Sequence, residues 1–114
     1  MPTPIFKPGD VIKVPFPYVD KPVRQHRPAL VVSSIDVHDG HGLLWVLMIT
    51  SAKNRSWPGD VEITDLGKAG LPVASVVRCA KIATIESSAA TRIGELESAK
   101  HEDIRAKLRK SLNL

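Results

Sequence analysis

The chain has 114 residues, is 43% hydrophobic and 25% charged, and carries a formal net charge of +4; this is the profile of one globular domain, residues 1–114, able to bury a core without covalent staples. Its single cysteine, Cys79, excludes an internal disulfide and a multi-cysteine zinc site. No apolar run approaches the roughly 20 residues of a membrane helix, and the start "MPTPIFKPGD" lacks a basic-then-apolar leader, so the expectation is a cytoplasmic chain with no membrane partner.

Pro8-Gly9-Asp10 signals a turn, and "DVIKVPFP" after it alternates as a strand. Val11 and Lys13 are set to one face and Ile12 and Val14 to the other. Pro15 and Pro17 cannot donate to a ladder, so the strand should end near them or lie at an edge. "YVDKPVRQH" reads as a polar loop, and "RPALVVSS" as a second strand whose start is set by Pro28. "DVHDGHG" is a turn cluster. "LLWVLMITS" is too short for most helices and reads as a buried strand. "AKNRSWPG" is a second polar loop, "DVEIT" a short alternating strand, and "DLGKAGLP" a turn or short helical turn. "SVVRCAKIATIE" is a strand. "SAKHEDIRAKLRKSL" has no Gly or Pro, and Ile104, Leu108 and Leu112 form an apolar stripe. A terminal amphipathic helix of about 14 residues follows from that spacing, with Ser98 as its N-cap. Five or six mostly antiparallel strands and one C-terminal helix predict a small β-barrel.

The sequence carries no glycine-rich phosphate loop, nucleophile elbow or paired-histidine zinc motif. His38 and His41 sit in a glycine-rich turn without a third ligand nearby, which favours a solvated turn over a metal site. No cofactor is expected. Arg27, the Thr50-Ser51 pair and Arg78 stand at strand ends or within strands. Together they would make a phosphate site, because guanidinium forks match phosphate oxygens and hydroxyls add neutral donors. Taken one at a time, each has a plain structural reading. Arg27 fits a surface loop, Thr50-Ser51 an ordinary strand end, and Arg78 an exposed strand face. The modest basic excess is compatible with a polyanionic partner. Lys53 and Arg55 beside Trp57, with Lys81 further on, suit single-stranded RNA, whose bases stack and whose phosphates pair with cations. Packing beneath its own loop is an equal alternative for Trp57.

The ordered set "PGDVIKVPFPYVD", "HRPALVVSS", "MITS" and "GLPVASVVRCAKIATIE", ending in a helix, resembles the PemK/MazF toxins of bacterial toxin–antitoxin pairs over nearly the whole chain. The resemblance implies an SH3-like, CcdB/MazF-type barrel and a homodimer. It also implies metal-independent, sequence-selective cleavage of single-stranded RNA, chiefly mRNA. The partner it implies is an antitoxin with a disordered acidic tail, through which operator DNA would be reached. By position, Arg27 matches the family's R-P arginine, Thr50 and Ser51 its I-T-S motif, and Arg78 its V-R-C arginine.

One departure concerns the general base. Some members place an acidic residue two positions after the V-R-C arginine, where this chain has Ala80. Asp20 resembles an acid of the PemK-like branch and is the preferred replacement on that resemblance. His26 ranks second, since histidine is the side chain that changes charge near neutral pH. Three rival readings remain: a weakly catalytic or inactive antitoxin-binding member, a CcdB-like topoisomerase poison, and a small SH3-like adaptor. The terminal "RAKLRKSLNL" does not match the helix by which the CcdB-like relative binds.

Overall fold

The computed structural model describes residues 5–16 and 25–114. Six strands form one sheet: β1 (Asp10–Phe16), β2 (Gln25–Val31), β3 (Leu43–Ser51), β4 (Val61–Glu62), β5 (Ser75–Glu86) and β6 (Thr91–Glu95). Their order is β4-β5-β3-β2-β1-β6, and every pairing is antiparallel. The sheet curls into a half-barrel with three helices beside it: α1 (Ile35–His38), α2 (Leu66–Ala69) and α3 (Ser98–Ser111). No helix among the described residues is long and apolar enough to cross a membrane.

Period-two alternation sorts the strand residues into two cores. Val11, Leu30, Leu47 and Ile49 bury on one face with Ile63, Ala69 and Ile104. Ile12, Val14, Ala29, Val31, Leu44, Val46 and Met48 bury on the other face with Phe6. The central strand β3 is covered on both sides from Val46 to Ile49 and therefore needs apolar residues there on both faces, whereas Trp45 is exposed.

Strand β5 changes face midway. Met48 pairs with Arg78 but Leu47 pairs with Ile82, so Cys79, Ala80 and Lys81 have no partner on β3. An odd insertion inverts the alternation beyond it. Accordingly Val77 and Cys79 belong to the first core, whereas Ala83 and Ile85 pack against the second.

The two ends of the sheet approach through α2, which follows β4 at one end and rests on β6 at the other. A Cβ on Gly94 of β6 would lie 2.3 Å from the Ala69 carbonyl carbon, and a Cβ on Gly70 2.0 Å from the Ile93 oxygen. Only glycine permits that backbone contact. Asp10 ties the other side of β6. Its buried carboxylate accepts from the Lys7 amide (2.9 Å), Lys7 Nζ (3.1 Å) and Arg92 Nε (3.1 Å). Burial works to raise its pKa, but these hydrogen bonds and the Lys7 charge outweigh it and hold the carboxyl below its usual range.

The structure corrects several sequence expectations. Strand β2 begins at Gln25, and Pro28 lies inside it opposite Lys13. The ladder to β3 runs only from Ala29 to Val31, so the donor Pro28 lacks falls outside that pairing. Strand β6 had no strong sequence signal, because "TRIGE" holds a glycine and two charges. Helix α3 has Glu97, not Ser98, at its N-cap position. The Glu97 carboxylate instead accepts from the Thr64 and Asp65 amides (both 3.2 Å) and from the Thr64 hydroxyl, pinning the start of α3 to the start of α2. Ile104 is fully buried and Leu108 packs beside it, but Leu112 is exposed.

Gly94→Ala should lower stability by about 3 kcal/mol, the upper end of ordinary overpacking, because its methyl meets rigid backbone. Gly67→Ala is the matched control. Its methyl meets only the Asp65 side chain at 3.9 Å, so it should be neutral or stabilise by about 0.5–1 kcal/mol. Urea unfolding of the two variants checks both outcomes.

Candidate functional site

A cavity of about 460 Å³ opens where β1, β2 and β3 meet the loop after β3 and the segment after α2. Antiparallel pairing places Lys13 opposite Pro28, Val14 opposite Arg27 and Pro15 opposite His26. Lys13, His26 and Arg27 all line the cavity, Arg27 from the strand face it shares with Val14, and Lys13 and His26 from the opposite face. Thr50 and Ser51 arrive at the end of β3, paired with Val76 and Ser75. Asn54 and the Leu71–Val73 segment complete the wall. Lys13 and Arg27 are fixed cations, and no carboxylate lines the cavity among the described residues. Such a wall favours an anion, and hydroxyl and amide groups supply neutral donors beside the charges.

The turn after β3 is tightly specified. The Ala52 amide donates to the Ala74 carbonyl (2.9 Å) and the Asn54 amide to the Ser51 carbonyl (3.0 Å). Asn54 Nδ2 donates to Thr50 Oγ1 (2.6 Å), and the Lys53 amide to Ser51 Oγ (3.2 Å).

Arg78 is not among the residues lining this cavity. It is 8% exposed, and its guanidinium forms a two-point pair with Asp60: Nε to Oδ1 at 3.2 Å and NH2 to Oδ2 at 3.1 Å. NH2 also donates to the Arg55 carbonyl (2.7 Å), and the guanidinium carbon stands 4.2 Å from the Trp57 ring centre. The Trp57 amide donates to Asp60 Oδ2 (2.9 Å). Arg78 thereby gathers the loop between β3 and β4 around itself. Burial works to raise the Asp60 pKa. The hydrogen bonds from Arg78 and Trp57, with the guanidinium charge, prevail and hold it below the usual carboxylate range.

Of the residues read from sequence as site candidates, Arg27, Thr50, Ser51 and His26 share the cavity. Asp20 lies outside the described residues. Lys53 and Arg55 are exposed on the loop, and Lys81 is exposed within the unpaired part of β5. Trp57 is 41% exposed, with the Arg78 guanidinium over its ring. The β5 insertion begins directly after Arg78, so Ala80 is exposed while Arg78 is buried. His38 and His41 border a separate hollow, and no group of three or more His, Cys, Asp or Glu among the described residues could hold a metal ion.

Sequence reasoning missed Lys13, Asn54 and Asp60. Lys13 carried a signal, as a charge in an otherwise apolar alternating strand. Asp60 carried none, because its partner is 18 residues away in the chain.

Fold and cavity together define a small half-barrel protein whose cavity is lined by Lys13, Arg27, Thr50 and Ser51 among apolar residues. The chain belongs to the PemK-like, MazF-like toxin family of type II toxin–antitoxin systems, whose family model matches residues 7–112. No curated protein matches it by sequence. Among solved structures it is similar to a MazE–MazF complex from Deinococcus radiodurans, at 22% identity and TM-score 0.76, covering 98% of both chains. It is similar to an endoribonuclease bound to its cognate antitoxin from a mycobacterial species, at 20% identity and TM-score 0.73, covering 100% of this chain and 97% of the other. The Mycobacterium tuberculosis toxin MazF-mt6 matches at 23% identity and TM-score 0.70, covering 92% and 97%.

Removing one partner of a buried, hydrogen-bonded pair leaves the other charge uncompensated, so Asp60→Ala should cost on the order of 3–5 kcal/mol at pH 7. The folded pKa of Asp60 is depressed. Its contribution is therefore complete above the unfolded value near 4 and is lost as pH falls through the folded value. The stability gap between the parent chain and Asp60→Asn should accordingly narrow below about pH 4. Denaturant unfolding from pH 3 to 7 checks this; a gap independent of pH would remove the ion pair as its cause.

Proposed function

We propose that the chain is a toxin endoribonuclease that cuts single-stranded RNA, chiefly mRNA, at selected sequences through the substrate's own 2′-hydroxyl. The observation that carries this reading is the cavity itself. Arg27, Thr50 and Ser51, the residues in register with the family motifs, meet there beside Lys13 and His26. Membership of the toxin family and likeness to an antitoxin-bound endoribonuclease support it.

In this mechanism His26 accepts the 2′-hydroxyl proton, being the one imidazole lining the described cavity. The 2′-oxygen attacks phosphorus in line, and the bond to the 5′-oxygen breaks. The proton the leaving oxygen needs is available from the Lys13 ammonium. Arg27 grips the phosphoryl oxygens, with Thr50 and Ser51 as further donors, so charge building on phosphorus meets preorganised partners. The products are a 2′,3′-cyclic phosphate and a 5′-hydroxyl. Arg27 and Lys13 supply the positive charge that a metal provides elsewhere, so no metal is required. Asp60 already fills the Arg78 fork. In this reading Arg78 acts on the site as a positioning residue, by holding the loop that presents Thr50, Ser51 and Asn54. Exposed Lys53, Arg55, Trp57 and Lys81 extend the RNA track away from the cavity. The working unit is a homodimer. Its antitoxin brings an acidic tail whose carboxylates compete with RNA phosphates for the cationic cavity.

Purified protein should cut a single-stranded RNA in the presence of a chelator. It should leave intact the same oligonucleotide with one deoxyribose at the cut site. Equal cleavage of both would refute attack by the 2′-hydroxyl. Arg27→Ala should slow cutting by about 10²–10³-fold, and His26→Ala by about 10²–10⁴-fold, as read from initial rates.

A further inference from the structure

We propose that Asn54 is a positioning residue that fixes the direction of the Thr50 hydroxyl, making it a donor to an anionic oxygen in the cavity. The inference rests on reading the cavity as a phosphodiester site and names the group that sets its polarity.

A hydroxyl carries one proton and two acceptor lone pairs. Left to rotate, it can present either to a ligand. An amide nitrogen has only protons to offer. Asn54 Nδ2 stands 2.6 Å from Thr50 Oγ1, so the Thr50 oxygen accepts and its own proton is directed elsewhere. Thr50 and Asn54 both line the cavity. The Asn54 amide, bonded to the Ser51 carbonyl at 3.0 Å, holds the side chain in reach of Thr50. Ser51 repeats the arrangement one residue later. Its Oγ accepts from the Lys53 amide at 3.2 Å, which leaves its proton to give.

The segment Thr50–Asn54 therefore engages one lone pair of each of two neighbouring hydroxyls from within. Both protons remain for a ligand that can only accept. A phosphodiester oxygen is such a ligand, and Arg27 and Lys13 on the facing strands bring the charge to match it. Aligning the hydroxyls in advance spares the reorganisation that free rotors would undergo on binding.

The test reverses one hydrogen bond while keeping its shape. Asn54→Asp puts a carboxylate where the amide was, and Thr50 must then give its proton to the carboxylate. The readout is binding of a non-cleavable single-stranded oligodeoxynucleotide at fixed salt, with thermal unfolding midpoints as a check on folding. Asn54→Asp and Thr50→Val should each weaken binding about tenfold or more, the worth of one hydrogen bond to a charged group. In the Thr50→Val background Asn54→Asp should add little, whereas in Thr50→Ser, which keeps the hydroxyl, it should cost its full amount. Losses that multiply in the Thr50→Val background would show a plain charge effect and overturn the proposal, as would an Asn54→Asp variant that binds like the parent. A parent chain that binds the oligodeoxynucleotide but cuts no RNA would overturn the ribonuclease reading alone. A parent chain that does neither overturns both.

Discussion

The pair between Arg78 and Asp60 anchors the loop that leaves β3. Two strands and a loop of otherwise exposed polar residues meet at that guanidinium: β5 supplies it, the residue before β4 supplies the carboxylate, and the loop between β3 and β4 wraps it through the Arg55 carbonyl and the Trp57 ring. Residues 52–59 are all exposed and contribute nothing to either core. Without an internal anchor such a loop would sample many conformations. With it, the segment leaving β3 has a fixed exit, and the short turn that sets Thr50, Ser51 and Asn54 becomes part of the scaffold. A planar, always charged fork suits this task better than a lysine, since it satisfies two carboxylate oxygens and a carbonyl at once.

The half-barrel supplies the opposite wall. Backbone contact between α2 and β6 accompanies the placing of Leu71, Pro72 and Val73 in the same cavity as Lys13 of mid-β1 and His26 and Arg27 near the start of β2. Gly70 and Gly94 thus matter to the site although neither offers a functional group. Asp10 has a similar indirect role. It fastens the beginning of β1 to Arg92 of β6 and so fixes the register from which Lys13 projects.

Much of this architecture was legible in the sequence. The alternation in "DVIKV" assigned Val11 and Ile12 to opposite faces, and the apolar run of β3 announced a buried strand, as it is from Val46 to Ile49. The motif residues Arg27, Thr50 and Ser51 proved to be neighbours in one cavity. What stayed hidden has physical reasons. The pairing of Arg78 with Asp60 was not readable, because a contact spanning 18 positions leaves no local pattern. The face change in β5 is a matter of register, which period-two reasoning assumes and cannot detect. Strand β6 is held by Asp10 and by glycine-mediated contact more than by side-chain burial, so its composition gave no strand signal. Asn54 looked like an ordinary loop residue because its role depends on the direction of one hydrogen bond.

The most direct measurement is the mapping of new RNA ends across total RNA after brief expression of the parent chain and of Arg27→Ala. A ribonuclease built around this cavity predicts discrete cuts in single-stranded regions of mRNA, sharing a short sequence and carrying 5′-hydroxyl ends, and their loss in the variant. Growth arrest by the parent chain with no new RNA ends, or identical ends from both proteins, would contradict a catalytic site at Arg27.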